Sequence, residues 1–264
     1  MSWVITGASK DPLTLDAYPG AVAAYSLRQL SWAYGDPVVR VRRSSDSTEA
    51  DFNAIQVTDG SLVTWVGAGN NGFVRTWYDQ TKAGNHAIQT DTTLQPRVVD
   101  AGTLVTHASK PGVSFTGGLV RLTADQLRNR SRLDAYIVKN TSDTDYLLFS
   151  GSSSAYSWVT ISGSSQTTDL RRNYGTSSAL YANNSLFTGT TRGDIFTFLD
   201  GYKLEVHQAS ATNVNWNFFD IGCYNRTTAT DFVGTIQELI FFASDQSASR
   251  TGIQSSINGH YAIY

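Results

Sequence analysis

Phe232-Val-Gly-Thr-Ile-Gln-Glu-Leu-Ile-Phe-Phe242 reads as one long strand, and its reading decides the fold. Upstream lie two shorter strand candidates. One is Phe219-Asp-Ile-Gly-Cys223; the other is Asp194-Ile-Phe-Thr-Phe-Leu-Asp-Gly201, which an Asp-Gly pair stops. Downstream, Ile253, Ile257 and Tyr261 recur at i, i+4 and i+8, which predicts a helix over Ser247–Tyr261. Strands broken by turns, then a long strand and a closing helix, are what a sandwich of two packed sheets requires.

Working back toward the N-terminus, strands are predicted at Phe73–Tyr78, Gly112–Thr116, Ala135–Lys139, Tyr146–Ser150, Trp158–Ser162 and Leu204–Gln208. They recur at about one per 10–15 residues with Ser, Gly, Asn and Thr between them, which favours an all-β fold over βαβ units. Val38–Arg43 is a further strand, with Val39 and Val41 on one side and Arg40 and Arg42 on the other. Ser44–Asp51 reads as a polar turn. A second helix is predicted over Pro19–Tyr34, because Ala23, Leu27, Leu30 and Tyr34 share a helical face and Gly35-Asp-Pro37 ends it. The domain division is an N-terminal arm at 1–16 and one sandwich at 17–264.

Bulk composition supports one large β domain. The chain has 264 residues, 41% hydrophobic and 12% aromatic, enough for a sizeable core. Charged residues make up 16%, against roughly 25% in an average soluble protein. The net charge of −2 implies neither a nucleic-acid nor an acidic-membrane partner. The single cysteine, Cys223, excludes an intrachain disulfide and any multi-cysteine metal site. No apolar run of about 18 residues is present, so no helical membrane span is predicted. Met1-Ser-Trp-Val-Ile-Thr6 lacks the basic and apolar regions of a secretory signal, so a protein acting outside a cell is expected to leave by another route, such as lysis.

Two N-terminal blocks carry a family resemblance. The first is Ala23-Ala-Tyr-Ser-Leu-Arg-Gln-Leu30 with Val39-Arg-Val-Arg-Arg-Ser-Ser-Asp46. The second is Trp77-Tyr-Asp-Gln-Thr-Lys-Ala-Gly-Asn-His86 with Gln95-Pro-Arg-Val98. Together they resemble the catalytic domain of α-L-arabinofuranosidase B, a retaining glycoside hydrolase, and the C-terminal third resembles the closing strands of a laminin-G-like, concanavalin A-like jelly roll. Similar domains occur in virion proteins of tailed bacteriophages. The resemblance implies a fold that is all-β, a concanavalin A-like jelly-roll sandwich with short helices near both ends. A retaining glycosidase needs two carboxyl groups about 5–5.5 Å apart. By the resemblance, the nucleophile would fall in Trp158-Val-Thr-Ile-Ser-Gly163, yet no Asp or Glu occurs between Asp145 and Asp169. The acid/base would follow Ile221-Gly222, where Tyr224 stands. The family site also uses neighbouring cysteines, and this chain has Cys223 alone.

Candidate ligand residues follow from sugar chemistry: rings for stacking, and side chains that both donate and accept. Trp158, Trp216, Tyr174 and Tyr181 are the stacking candidates; each could instead be core. Asp79, Gln80, Asn85 and His86 form a polar cluster just past a strand. They could hold sugar hydroxyls, or Asp79 could accept backbone N–H groups and order a buried turn. Glu238 lies at period 2 with Ile236 and Ile240, so it must be paired, with His207 or an arginine as partner, or line a cavity. Arg128, Arg130 and Arg132 are a solvated turn or a site for an acidic glycan. The four histidines show no zinc spacing, and no metal or cofactor is expected.

The expected function is a non-enzymatic bacteriophage virion protein, a tail fibre, tailspike or capsid decoration, that binds host surface glycan. Its partners would be other virion proteins, gripped through the N-terminal arm, in a homo-oligomer with a trimer favoured, assembled in the host cytoplasm. Two alternatives stay open: a glycoside hydrolase using Glu238 with Asp231 or Asp220, and a virion protein without a ligand.

Overall fold

The computed structural model describes residues 10–128, 130, 132–141, 146–150, 159–161, 179–189, 192–210, 219–223 and 232–264. The elements begin with α1 (Thr14–Ala17), β1 (Ala21–Ser26), β2 (Val39–Arg43), β3 (Glu49–Phe52), α2 (Ala54–Thr58), α3 (Ser61–Val66) and β4 (Gly72–Trp77). Short strands follow: β5 (Ala87–Ile88), β6 (Arg97–Asp100), β7 (Thr103–Leu104), β8 (Thr106–His107) and β9 (Lys110–Pro111). Then come β10 (Val113–Thr116), β11 (Leu122–Thr123), a 3-10 turn at Asp125–Leu127, β12 (Arg132–Thr141), β13 (Tyr146–Ser150) and β14 (Val159–Ile161). The chain closes with β15 (Ala179–Ala182), β16 (Ser185–Leu186), α4 (Arg192–Leu199), β17 (Gly201–Ser210), β18 (Asp220–Ile221), β19 (Val233–Phe242) and α5 (Arg250–Tyr261).

The strand pairings are antiparallel and form a jelly-roll sandwich. One layer runs β16–β15–β17–β12–β19, and β19 presents its far edge to two strands, β10 along its first half and β1 along its second. The other runs β3–β2–β4–β5–β11–β18–β13–β14, with β6 also against β4. The ladder passes between the layers where Ser114 of β10 meets Arg97 of β6.

Period-2 alternation gives β12 two apolar faces. Leu133, Ala135 and Ile137 enter the main core between the layers, beside Trp77, Phe115, Phe219 and Phe241. Tyr136 and Val138 enter a second core, where Ile253, Ile257 and Tyr261 of α5 cover the outer face of the β12–β17–β19 layer. The predicted C-terminal helix therefore forms because that face needs a cover; its apolar stripe is the cover. Glycine is required at Gly222, where φ is +88° and an added Cβ would lie 2.3 Å from the Phe115 ring.

Three sequence expectations are overturned. Pro19–Tyr34 contains the strand β1, not a helix: Ala23, Ala24 and Tyr25 are fully buried, and β1 fills the open edge of β19. The helical spacing of Ala23, Leu27 and Leu30 is incidental, because tertiary pairing outweighs weak local propensity. Asp194–Leu199 belongs to helix α4, not a strand, with Ile195 and Leu199 turned together into the main core at i, i+4. The Ser44–Asp51 turn is cut short by β3, whose Glu49, Ala50 and Asp51 pair with Arg42, Val41 and Arg40 of β2.

Part of the arm lies against its own sandwich. The Leu15 N–H donates to the Leu30 carbonyl at 2.9 Å, the Thr14 and Ser256 hydroxyls meet at 3.0 Å, and Leu15 packs on the second core. Trp3, Val4 and Ile5 lie outside the described residues. No helix among the described residues is long and apolar enough to cross a membrane.

Candidate functional site

The polar residues after β4 are brought together, and their hydrogen bonds close on the protein itself. Asp79, 1% exposed, accepts from the backbone N–H groups of Ala24 (2.9 Å), Thr81 (3.0 Å) and Asn85 (3.1 Å), and from the Thr81 hydroxyl. The Gln80 side chain accepts from the Leu30 N–H at 2.9 Å and donates to the carbonyls of Ser26 (3.0 Å) and Arg28 (2.8 Å). Asn85 donates to the Val22 carbonyl at 2.6 Å, and the Tyr25 hydroxyl donates to the Asn85 carbonyl. All of these partners outside the turn lie on β1 or the segment after it. The block is a clasp that fastens β1 to the exit of β4, the buried turn that Asp79 was expected to order. His86 sits at its margin, with Nδ1 accepting from the Asp79 N–H at 3.1 Å.

The acidic groups of the central strands are also engaged. Glu238, fully buried, receives Arg28 Nε at 2.8 Å and Nη2 at 2.9 Å, and Tyr261 donates to it at 3.1 Å. Its partner is Arg28, not His207. Its face also differs from expectation. Opposite β19, Val138 pairs with Glu238 and Lys139 with Ile236, so Gln237 is an extra residue at a bulge. The bulge sends Ile236 into the main core and leaves Ile240 in the second. The Gln237 amide uses its position to hold the β8–β9 hairpin, donating to the Lys110 carbonyl at 2.7 Å. Burial works against the Arg28 charge, but Glu238 and Tyr261 outweigh it and raise its pKa; burial and Glu238 push Tyr261 well up.

A second closed cluster lies between the layers. Lys139, Glu205 and His207 are all fully buried, with Lys139 Nζ 3.1 Å and His207 Nε2 2.9 Å from the two Glu205 oxygens. Lys139 also donates to the Leu199 carbonyl at the end of α4. Burial pulls the Lys139 amine down, and Glu205 opposes the shift. Asp220, the other carboxylate considered for catalysis, is buried against Arg121 at 3.7 Å and accepts from the Thr123 hydroxyl at 2.7 Å. Asp231 lies outside the described residues.

The open chemistry is elsewhere. A cleft of about 620 Å³ lies between the β15–β16 hairpin, α4 and the start of β17. Its two-residue hairpin turn, Asn183-Asn184, has φ of 49° and 65°, the left-handed pair that a tight hairpin requires. The Asn183 side chain accepts from the Leu204 N–H at 3.0 Å, which fixes the turn on β17. Phe187 and Phe198 meet in the cleft wall, tilted at 50° with centroids 5.2 Å apart, and Leu186 is 51% exposed beside them. Asp194 and Lys203 supply one charge of each sign, and Thr188 and Thr197 supply hydroxyls. Gly189 permits the close approach: a Cβ there would meet Asp194 Cβ at 2.5 Å and the Phe187 ring at 2.7 Å. The cleft thus sets apolar rings beside paired donors and acceptors, which suits a polyhydroxylated ligand.

Sequence reasoning missed this cleft. The signal was the Asn-Asn pair between two short apolar runs, a hairpin mark. Tyr181 lies next to the cleft in sequence, but its ring stacks under the Arg250 guanidinium at 3.9 Å, beside the second core. Trp158, Tyr174, Trp216 and Tyr224 lie outside the described residues. The expected basic cluster is divided: Arg128 pairs with Asp125 at 3.9 Å, Arg130 donates to the Gln126 carbonyl at 3.4 Å, and Arg132 bridges Asp134 and Asp245. Among the described residues, no group of three or more His, Cys, Asp or Glu is gathered as a metal site.

No protein-family model matches the chain, and no curated protein matches it. Solved structures do. A GH54 α-L-arabinofuranosidase soaked with a cyclic sulfate inhibitor matches at 14% identity with a TM-score of 0.45. An arabinofuranosidase complexed with arabinofuranosyl-xylobiose matches at 13% identity with the same TM-score of 0.45. In each case 92% of this chain is covered, and the chain spans 64% of the matched structure's length. The strand pairings of the chain itself define its class as an all-β jelly-roll sandwich.

Proposed function

We propose that this domain binds glycan, with the cleft between the β15–β16 hairpin and α4 as its site. The observation that carries the reading is the pairing of the Phe187–Phe198 rings with Asn183, Asp194 and Lys203 around one open cleft. A sugar ring offers a C–H face to the aromatic wall and hydroxyls to the amide, carboxylate and ammonium. One positive and one negative side chain suit a neutral saccharide. The test is a glycan array on the purified protein, followed by affinity measurements on Phe198→Ala and Asp194→Asn. Binding that neither substitution weakens would remove the cleft from this role. The low charge content and the Gly, Ser and Thr richness further support a place on the exterior of a particle such as a bacteriophage virion. Mass spectrometry of purified particles tests that placement.

A second reading, a glycoside hydrolase, is favoured by the exposed Asp194 carboxylate within the same cleft. A reducing-sugar assay separates the two: release of sugar that Asp194→Asn abolishes would make the domain an enzyme, and binding without release would make it a lectin.

A further inference from the structure

The other layer carries a second cleft, of about 380 Å³, where β5 and β11 meet the 3-10 turn at Asp125–Leu127. Its walls include His86, Gln89, Arg121, Asp125 and Gln126, and Ile88, 37% exposed, supplies an apolar patch among them. His86, Arg121 and Asp125 are each held by a bond that leaves another direction to use. His86 Nδ1 accepts from the Asp79 N–H, so the neutral ring carries its proton on Nε2 as a donor. The ring itself is set edge-on to Tyr78 at 5.0 Å. Arg121 Nη1 donates to the Leu119 carbonyl at 3.2 Å, and its Nε is buried without a hydrogen bond, 3.7 Å from Asp220. Asp125 Oδ1 accepts from the Phe219 N–H at 3.0 Å, yet the side chain stays 42% exposed. Gln89 is tied at both ends, to the Asp91 N–H and the Arg121 carbonyl, so it forms wall rather than reader.

Charge balance decides the ligand class. The Arg121 charge is met by Asp220 and the Asp125 charge by Arg128, so neither an anion nor a cation gains a net partner. What the cleft offers is a fixed N–H donor, a fixed carboxylate acceptor and an exposed aliphatic side chain. A vicinal diol on a saturated ring matches that set, its hydroxyl protons going to Asp125 and its oxygens to His86 Nε2–H, with ring C–H groups on Ile88.

We infer that this cleft is a second saccharide site, separate from the one beside α4, so that one chain holds two sugar residues. The inference rests on the glycan-binding reading for ligand class only; the site and its residues are independent of the first cleft. The test is NMR titration of methyl-labelled protein with the methyl glycosides of glucose, galactose and arabinose. The Ile88 methyl reports on this cleft and the Leu186 methyls report on the other. We expect saturable shifts at Ile88 that weaken about tenfold or more in Asp125→Asn, which keeps the Oδ1 bond to Phe219, and in His86→Ala. Phe198→Ala should leave the Ile88 shifts in place. Silence at Ile88 with all three glycosides, or shifts there that survive both substitutions, overturns the second site. Shifts at Leu186 without shifts at Ile88 sink this site and leave the first reading standing; the converse sinks the first and leaves this one.

Discussion

The clasp after β4 and the cleft beside α4 are both rich in polar side chains, but they differ in how far those side chains are buried. In the clasp, Asp79, Gln80 and Asn85 are spent on backbone groups of the segment that includes β1, and almost none of their surface reaches solvent. In the cleft, Asp194 is exposed and Phe198 is half-buried. Polarity alone does not mark a site; exposure beside an apolar ring does. A buried polar group that completes another element is architecture, and an exposed one beside an apolar ring lies where a ligand can reach it.

The largest expected effect tests the architectural side at its most buried charge. Arg28→Ala leaves Glu238 fully buried without its ion-pair partner, which should cost about 3–5 kcal/mol. Urea unfolding measures it, and a midpoint close to that of the native protein would show that Glu238 finds another partner. Next, Asp79→Ala orphans the N–H groups of Ala24, Thr81 and Asn85. The loss should be about 3 kcal/mol, a fall in Tm of roughly 6–12 °C, with glycan affinity of the folded protein unchanged. An unchanged Tm with lost affinity would turn the clasp into a site and erase the contrast. On the other side, Asp194→Asn should change stability by less than about 0.5 kcal/mol and weaken glycan binding about tenfold. Calorimetry of binding and of unfolding on the one variant decides it.

The smallest effect is a pH dependence beside the Arg28 network. Burial first, then the positive charges of Arg28 and Lys110, hold the His260 imidazole down to about 3 from an ordinary 6.5. The folded state therefore prefers the neutral ring. Its contribution is fully present above pH 6.5 and is lost as pH falls from 6.5 toward 3. In the upper part of that window, where carboxylates remain ionised, His260→Asn should flatten the decline in Tm; an equal decline in both proteins would clear His260 of the effect.

Much of the sandwich was legible because long strands announce themselves. Phe232–Phe242 was read at nearly its full length, and Ala135–Lys139 marked the apolar middle of the longer strand Arg132–Thr141. The errors fell on short segments whose state depends on a distant neighbour. β1 becomes a strand because β19 has an edge to fill, and nothing within residues 19–34 encodes that edge. α4 alternates well enough to pass for a strand, and only its packing against the main core selects the helix. The bulge at Gln237 was equally hidden, and it moved Ile236 and Ile240 to opposite faces. For the clasp, the polar cluster after Trp77 allowed a turn ordered by Asp79, whose bonds to Thr81 and Asn85 are local, but its grip on β1 and the segment after it is tertiary and was not legible. The cleft was not legible, since Asn183, Asp194 and Lys203 come from three elements whose meeting is a tertiary event.

The place of β19 has a consequence for the order in which the protein can be made. It follows every other described strand in the chain, yet Ala21 pairs with Phe242 and Val113 with Ile236 on its one edge, while β12 takes the other. A nascent chain therefore carries β1, β10 and β12 out of the ribosome with their shared partner still unmade. Their apolar faces must wait, and pairing over such sequence separations is slow. Completion of this layer therefore waits for β19. A chain halted before Val233 would display three unpaired edges, and aggregation, not a smaller stable domain, is the expected fate of the fragment.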